Sequence, residues 1–285
     1  MSDLAFLSAA ELIRKLRTKK ISSSELTEAY IQRIERYNPE LNAIVAHDLE
    51  NARNQARFAD DSLARGEFTG PLHGVPITIK DAYEVAGLVS TGGNPALRNH
   101  LPDRDADPVE RLRSSGAIIL GKTNVPYLSG DFQTYNDIYG TTNNPWDVSR
   151  SPGGSSGGAA ATVSAGMSAF DIGSDIGGSI RNPSHFCGLF GLNPSFGIVP
   201  IRGHIPPSPG SLSVGDISVG GPIARCAEDL QIILDCLAGA PDHDPAWVLD
   251  LPPARKPDPK GLRIALWLDD DFAHTDNEVK SLITE

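Results

Sequence analysis

The chain has 285 residues, 40% of them hydrophobic and 21% charged, enough for a sizeable core, and no run approaches the roughly 18 apolar residues of a membrane-spanning helix. Its net charge of −11 argues against a general nucleic-acid binder, whose surface must neutralise phosphates. Three cysteines without disulfide or ligand spacing, and seven histidines without an HxH or HxxxH pair, predict no metal.

The N-terminus lacks the basic start, apolar core and small-residue cleavage site of a secretory signal, which predicts a cytosolic address. Ser8 with Glu11, and Ser22 with Glu25, have the capping-box spacing that opens a helix. The second box leads into Leu26, Ala29, Tyr30, Ile34 and Tyr37 at helical period, ending at Asn38-Pro39. Residues 48–66 predict a polar helix, 74–79 (GVPITI) a buried strand with Lys80-Asp81 at its end, 107–115 a helix and 117–120 a second buried strand. From 139 to 158 the chain is almost all turn formers, and long ordered loops are more often functional than not. A small-residue helix from 158 to about 165, a strand near 167–172, a loop over 173–179, a helix opening 180–191 and a helix over 222–238 follow. Residues 240–261 read as a proline-rich linker, 262–267 as a strand, and a last helix starts near Asp276. Strands alternating with helices indicate an α/β architecture, with a parallel or mixed sheet covered on both faces.

Three segments carry chemistry. A lysine ending a buried strand either snorkels to solvent or, if desolvated, becomes a base near neutral pH, and Lys80 is so placed. Pro152 to Gly158 (PGGSSGG) opens a helix but lacks the lysine of a phosphate-binding GxxxxGK[ST] loop. Gly173 to Arg181 (GSDIGGSIR) puts a serine on a glycine-rich turn, where consecutive N–H groups can face a developing oxyanion. Taken singly, each has a plainer reading: a strand-end lysine reaching solvent, a flexible linker, and a turn or helix cap.

Together, GVPITIKD, PGGSSGG and GSDIGGSIRNPSHFCG closely resemble, in order and spacing, the three blocks of the amidase signature family. The resemblance spans essentially the whole chain. It implies that family's mixed central β-sheet with helices on both faces, in one domain: residues 1–70 as N-terminal helices, 71–239 as the catalytic core, and 240–285 as a linker and the start of a C-terminal part. Family members usually run half as long again or more, so the rest of that part is expected to be missing. Lys80 corresponds to the family's catalytic base, Ser155 to a bridging serine held by a cis peptide, and Ser179 to the nucleophile. Ile176, Gly177, Gly178 and Ser179 would form the oxyanion hole, and Asp131, Gln133 and Ser174 would contact substrate. Ser174 stands where the family usually has threonine, and Asn193 where it usually has lysine, removing a positive charge near the site.

The implied reaction is hydrolysis of a carboxylic amide through an acyl-enzyme, with no cofactor, a small-molecule amide as partner, no direct nucleic-acid or membrane contact, and a homodimer left open. The alternatives are a glutaminase subunit of a tRNA-dependent amidotransferase and a non-catalytic fragment. A Ser-His-Asp triad through His73 or His185 is the rival chemistry, but Ser179 sits in no GxSxG elbow.

Overall fold

The computed structural model describes residues 4–241, 248–249, 251–253 and 260–285. They fall into two units, residues 1–249 and 250–285.

In the larger unit, α1 (Ala9–Arg17) and α2 (Ser23–Leu41) open on the expected boxes. Glu11 N–H donates to Ser8 Oγ, Glu25 N–H donates to Ser22 Oγ, and each glutamate carboxylate accepts the cap's own N–H. α2 buries Leu26, Tyr30 and Ile34 and runs past the predicted stop, through Pro39, to a left-handed Asn42 (φ 49°). The proline removes one donor, and Asn38 holds the turn instead. Its Oδ1 accepts the N–H groups of Ala43 and Ile44, and its Nδ2 donates to the Ile44 carbonyl. That latch leads into β1 (Ile44–His47), a four-residue strand too short for its period to show in the sequence. α3 (Leu49–Ala64) follows and lays Ala52, Ala56 and Ala59 inward, against α2 and the sheet.

The remaining elements are β2 (Pro76–Lys80), α4 (Asp107–Ser114), β3 (Ile118–Thr123), a short ladder of β4 (Tyr135–Asn136) with β5 (Gly140–Thr141), α5 (Gly157–Ser164), β6 (Asp171–Asp175), α6 (Arg181–Cys187), β7 (Phe190–Gly191), β8 (Val219–Ala224) and α7 (Ala227–Leu237). The sheet order is β1-β3-β2-β6-β8-β7, with β2 parallel to both its neighbours and the other pairings antiparallel. Every residue of β2, β3, β6 and β8 is buried, so both faces of the sheet are covered, with α2, α3, α5 and α7 packed on it. α5 starts tightly against the end of β3: a Cβ on Gly158 would stand 2.6 Å from the Asn124 carbonyl oxygen, which its N–H meets at 3.2 Å.

Three expectations are corrected. The helix over 222–238 begins only at Ala227, because 219–224 forms β8 between β6 and β7; Gly220, Gly221 and Pro222 are poor helix residues. The strand near 167–172 lies instead at 171–175. In the smaller unit, residues 262–267 form no strand: no described segment pairs with them, and Ile264 and Trp267 are exposed. Without a ladder partner, their backbone groups are left to solvent. α8 (Asn277–Thr284) is capped by Asp276, whose carboxylate accepts the Glu278 N–H at 2.8 Å. The predicted linker 240–261 lies mostly outside the described residues. Among those described, no helix is long and apolar enough to cross a membrane.

Candidate active site

Parallel strands β2 and β6 bring Lys80 and Ser174 side by side at their carboxyl ends. The Lys80 side chain is fully buried, and its Nζ lies 2.7 Å from Ser155 Oγ, 3.0 Å from Ser174 Oγ and 3.3 Å from the Ser174 carbonyl. Burial pushes its pKa down to about 7, while the carboxylates of Asp175 and Asp171 pull the other way. Asp171 is itself buried one strand away; burial lifts its carboxyl to about 7 against hydrogen bonds donated by Thr78 (2.7 Å) and Thr123 (3.1 Å). Two buried groups of opposite sign therefore sit close to neutrality together.

Ser155 is buried just before α5, after a cis Gly154–Ser155 peptide bond. The next residue ties two loops together, since the Ser156 N–H donates to the Ser179 carbonyl at 3.1 Å. Ser179 is half-buried and lines, with Ser155 and Ser174, a cavity of about 270 Å³ whose walls include Leu128, Ile176, Pro206, Pro207 and Val214. The order from cavity to interior is thus Ser179, Ser155, Lys80. Ser179 Oγ has no hydrogen-bond partner among the described residues, so the chain of contacts is closed from Lys80 to Ser155 and open at its last link.

The turn carrying Ser179 is wound around one carboxylate. Asp175 accepts the N–H groups of Gly178 (2.7 Å), Ile180 (2.8 Å) and Arg181 (3.3 Å) and an ion pair from the Arg181 guanidinium at 2.9 Å. Burial alone would raise its pKa, but the guanidinium and these three N–H donors outweigh it and bring it to about 2. The cradle corrects one expectation: the Gly178 N–H is directed at Asp175 and is not available to an oxyanion. The N–H groups of Ile176, Gly177 and Ser179 have no acceptor among the described residues.

Asp131 and Gln133 do not line the cavity. Asp131 accepts the Gln133 N–H and the Tyr135 hydroxyl, both at 3.1 Å, and faces a separate surface hollow. The backbone of this segment packs on Gly154, and the residue between them, Phe132, turns its ring toward Gly177 and Gly178. Neither rival histidine reaches the cavity. His73 is held by the Ala59 carbonyl (3.0 Å) and the Thr69 N–H (3.1 Å), and His185 is exposed on α6.

The histidine that does reach the site is His204, which the sequence reading did not single out. Its Nε2 is 2.8 Å from Ser174 Oγ and its Nδ1 2.8 Å from the Pro206 carbonyl. A bridge to Tyr83, just past β2, brings it there, with the two rings edge to face at 5.0 Å. The available signal was the rigid Gly-His-Ile-Pro-Pro run, which carries no chemistry without its contact to Ser174.

The chain matches the family model named Amidase over residues 25–285. It belongs to the amidase family. It is 39% identical over 284 residues to an acylamidase of Rhodococcus erythropolis, covering 97% of this chain and 58% of that protein. It is 42% identical over 243 residues to a glutamyl-tRNA(Gln) amidotransferase subunit of Carboxydothermus hydrogenoformans, covering 85% and 48%. Among solved structures, a bacterial aryl acylamidase of the amidase signature family superposes with a TM-score of 0.79 at 34% identity, covering 86% of this chain and 50% of that one. Fatty acid amide hydrolase superposes at 0.77 with 31% identity, covering 81% and 41%. This amidase chain spans about half the length of the curated relatives it matches. Its sheet and helices are those of the amidase signature fold.

Proposed function

We propose that the chain carries the catalytic centre of an amide hydrolase, releasing a carboxylate and ammonia or an amine. The observation that carries this reading is a fully buried lysine, held near pKa 7, touching Ser155 at 2.7 Å beneath a cavity that Ser179 lines. In this reading neutral Lys80 accepts a proton from Ser155 as Ser155 takes one from Ser179, whose oxygen attacks the amide carbon. The N–H groups of Ile176, Gly177 and Ser179 face the resulting oxyanion, each missing donor costing about 2.7–4 kcal/mol. Ser155 then delivers the proton to the leaving nitrogen, and water releases the acyl group by the reverse route.

The cavity favours an uncharged acyl group. Among the described residues its walls are mostly apolar and include no lysine or arginine, and the Asp175 carboxylate is already paired with Arg181. That supports an acylamidase over the glutaminase of an amidotransferase, which must hold a zwitterionic amino acid. The glutaminase reading remains favoured by the identity to amidotransferase subunits, and it predicts ammonia from glutamine only with a partner protein.

Labelling with an alkyl fluorophosphonate, read by intact mass, tests the proposal without guessing a substrate. One adduct is expected on the wild type and none on Ser179→Ala or Lys80→Ala. A folded wild-type chain that takes no adduct overturns it.

A further inference from the structure

With Lys80 neutral, the contacts around His204 fix the direction of every hydrogen bond that reaches it. The Pro206 carbonyl can only accept, so His204 Nδ1, 2.8 Å away, carries a proton. In the neutral ring Nε2 is then a bare acceptor, and the Ser174 hydroxyl, 2.8 Å away, must donate to it. With its proton so directed, Ser174 Oγ accepts from Lys80 at 3.0 Å, and the Ser174 carbonyl accepts from the same amine at 3.3 Å. A neutral amine has two N–H groups and one lone pair. Both N–H groups are thus taken by Ser174, and the lone pair is left for the Ser155 hydroxyl at 2.7 Å.

We propose that His204 is a positioning residue that, through Ser174, reserves the Lys80 lone pair for Ser155. The inference rests on the Ser179–Ser155–Lys80 reading given above. Without an acceptor at position 204, the Ser174 hydroxyl is free to turn and donate into the Lys80 lone pair, competing with Ser155 for the base. Burial supports the neutral ring, pushing the His204 pKa down to about 4. The other titratable groups in this environment are Lys80, Asp171, Asp175 and Tyr83. Tyr83 packs against the ring and donates its hydroxyl to the Gly173 carbonyl at 3.0 Å.

The test uses the full 285-residue chain and two measurements. In the first, fluorophosphonate labelling rates are compared for wild type, His204→Phe, His204→Gln, Ser174→Ala and the Ser174→Ala/His204→Phe double variant, each checked for cooperative melting. His204→Phe, which keeps the ring against Tyr83, is expected to slow labelling on the order of 10- to 100-fold, the usual scale for a group orienting a reacting ligand. His204→Gln supplies an amide oxygen to Ser174 and should recover most of the rate. The double variant should label faster than His204→Phe alone, because the misdirected hydroxyl is gone. A purely structural role predicts the opposite, with the two losses multiplying, and that result overturns the proposal. In the second measurement, histidine 15N shifts should show His204 protonated at Nδ1 alone between about pH 6 and pH 9. A proton on Nε2 in that range overturns the proposal independently of any activity. If the wild type is not labelled at all, the amidase reading falls, while the tautomer still decides the hydrogen-bond order.

Discussion

A lysine in the interior costs stability in its charged form, and the protein keeps one at the end of β2. With a folded pKa near 7 against an ordinary 10.5, Lys80 is neutral in the folded chain and protonated in the unfolded chain between those values. Folding therefore releases a proton in this window, and the contribution of this residue to stability rises with pH from about 7 to 10.5. Lys80→Met should abolish labelling yet stabilise the chain at pH 7 by on the order of 1–2 kcal/mol. The advantage should shrink as pH approaches 10, as read by urea unfolding at several pH values. The burial of this residue and its lowered pKa were an expectation open to the sequence, because Lys80 closes the buried run Val75–Ile79; its catalytic role came only from the resemblance. His204 was not so legible, because nothing local distinguishes it: its role depends on a hydroxyl 30 positions away.

The turn between β6 and α6 is the element that shapes the site. Asp175 gathers three backbone N–H groups and Arg181, so the N–H groups left over are those of Ile176, Gly177 and Ser179. Asp175→Asn loses the charge and one acceptor while keeping the size. We expect labelling to fall by about 10²–10³-fold, the scale of a displaced oxyanion donor. The folded pKa of Asp175 lies near 2, below its ordinary 3.8, so its stabilisation is present above about 3.8 and is lost as pH falls through 2. The variant should accordingly melt lower than wild type at neutral pH, and the gap should close in strong acid. Sequence reading located this turn and the resemblance implied four donors in it, but nothing in the sequence shows that one of them, Gly178, is already held by Asp175. Sequence reading also missed β8, because a strand of Val-Gly-Gly-Pro-Ile-Ala has too few bulky residues to show a period.

Across the sheet, charged side chains are buried at the ends of the central strands. Besides Lys80 and Asp171, the fully buried pair Lys122–Asp81 (3.0 Å) lies near the ends of β3 and β2, with Ser90 and Thr91 completing its hydrogen bonds. Lys122→Met leaves the Asp81 carboxylate without its cation, which should cost on the order of 3–5 kcal/mol. Adding Asp81→Asn should recover part of the lost melting temperature, as measured by calorimetry. The alternation of helices and strands made the fold class readable, and the capping boxes of α1 and α2 fixed two helix starts. The strand expected over 262–267 failed for a non-local reason, since a ladder needs a second segment that periodicity cannot supply.

The residues that meet at Lys80 come from four distant stretches of chain: Ser155 is 75 positions away, Ser174 is 94, and His204 joins through Ser174. No local turn or hairpin can pre-form such a cluster, and contacts of long sequence separation are the slowest for a polypeptide to make. An incompletely folded chain therefore holds an ordinary serine and an ordinary protonated lysine. On the proposed mechanism, the reactive hydroxyl would come into being only with the finished tertiary structure, so a nascent chain would hold no activated serine before it has a pocket to choose what that serine attacks.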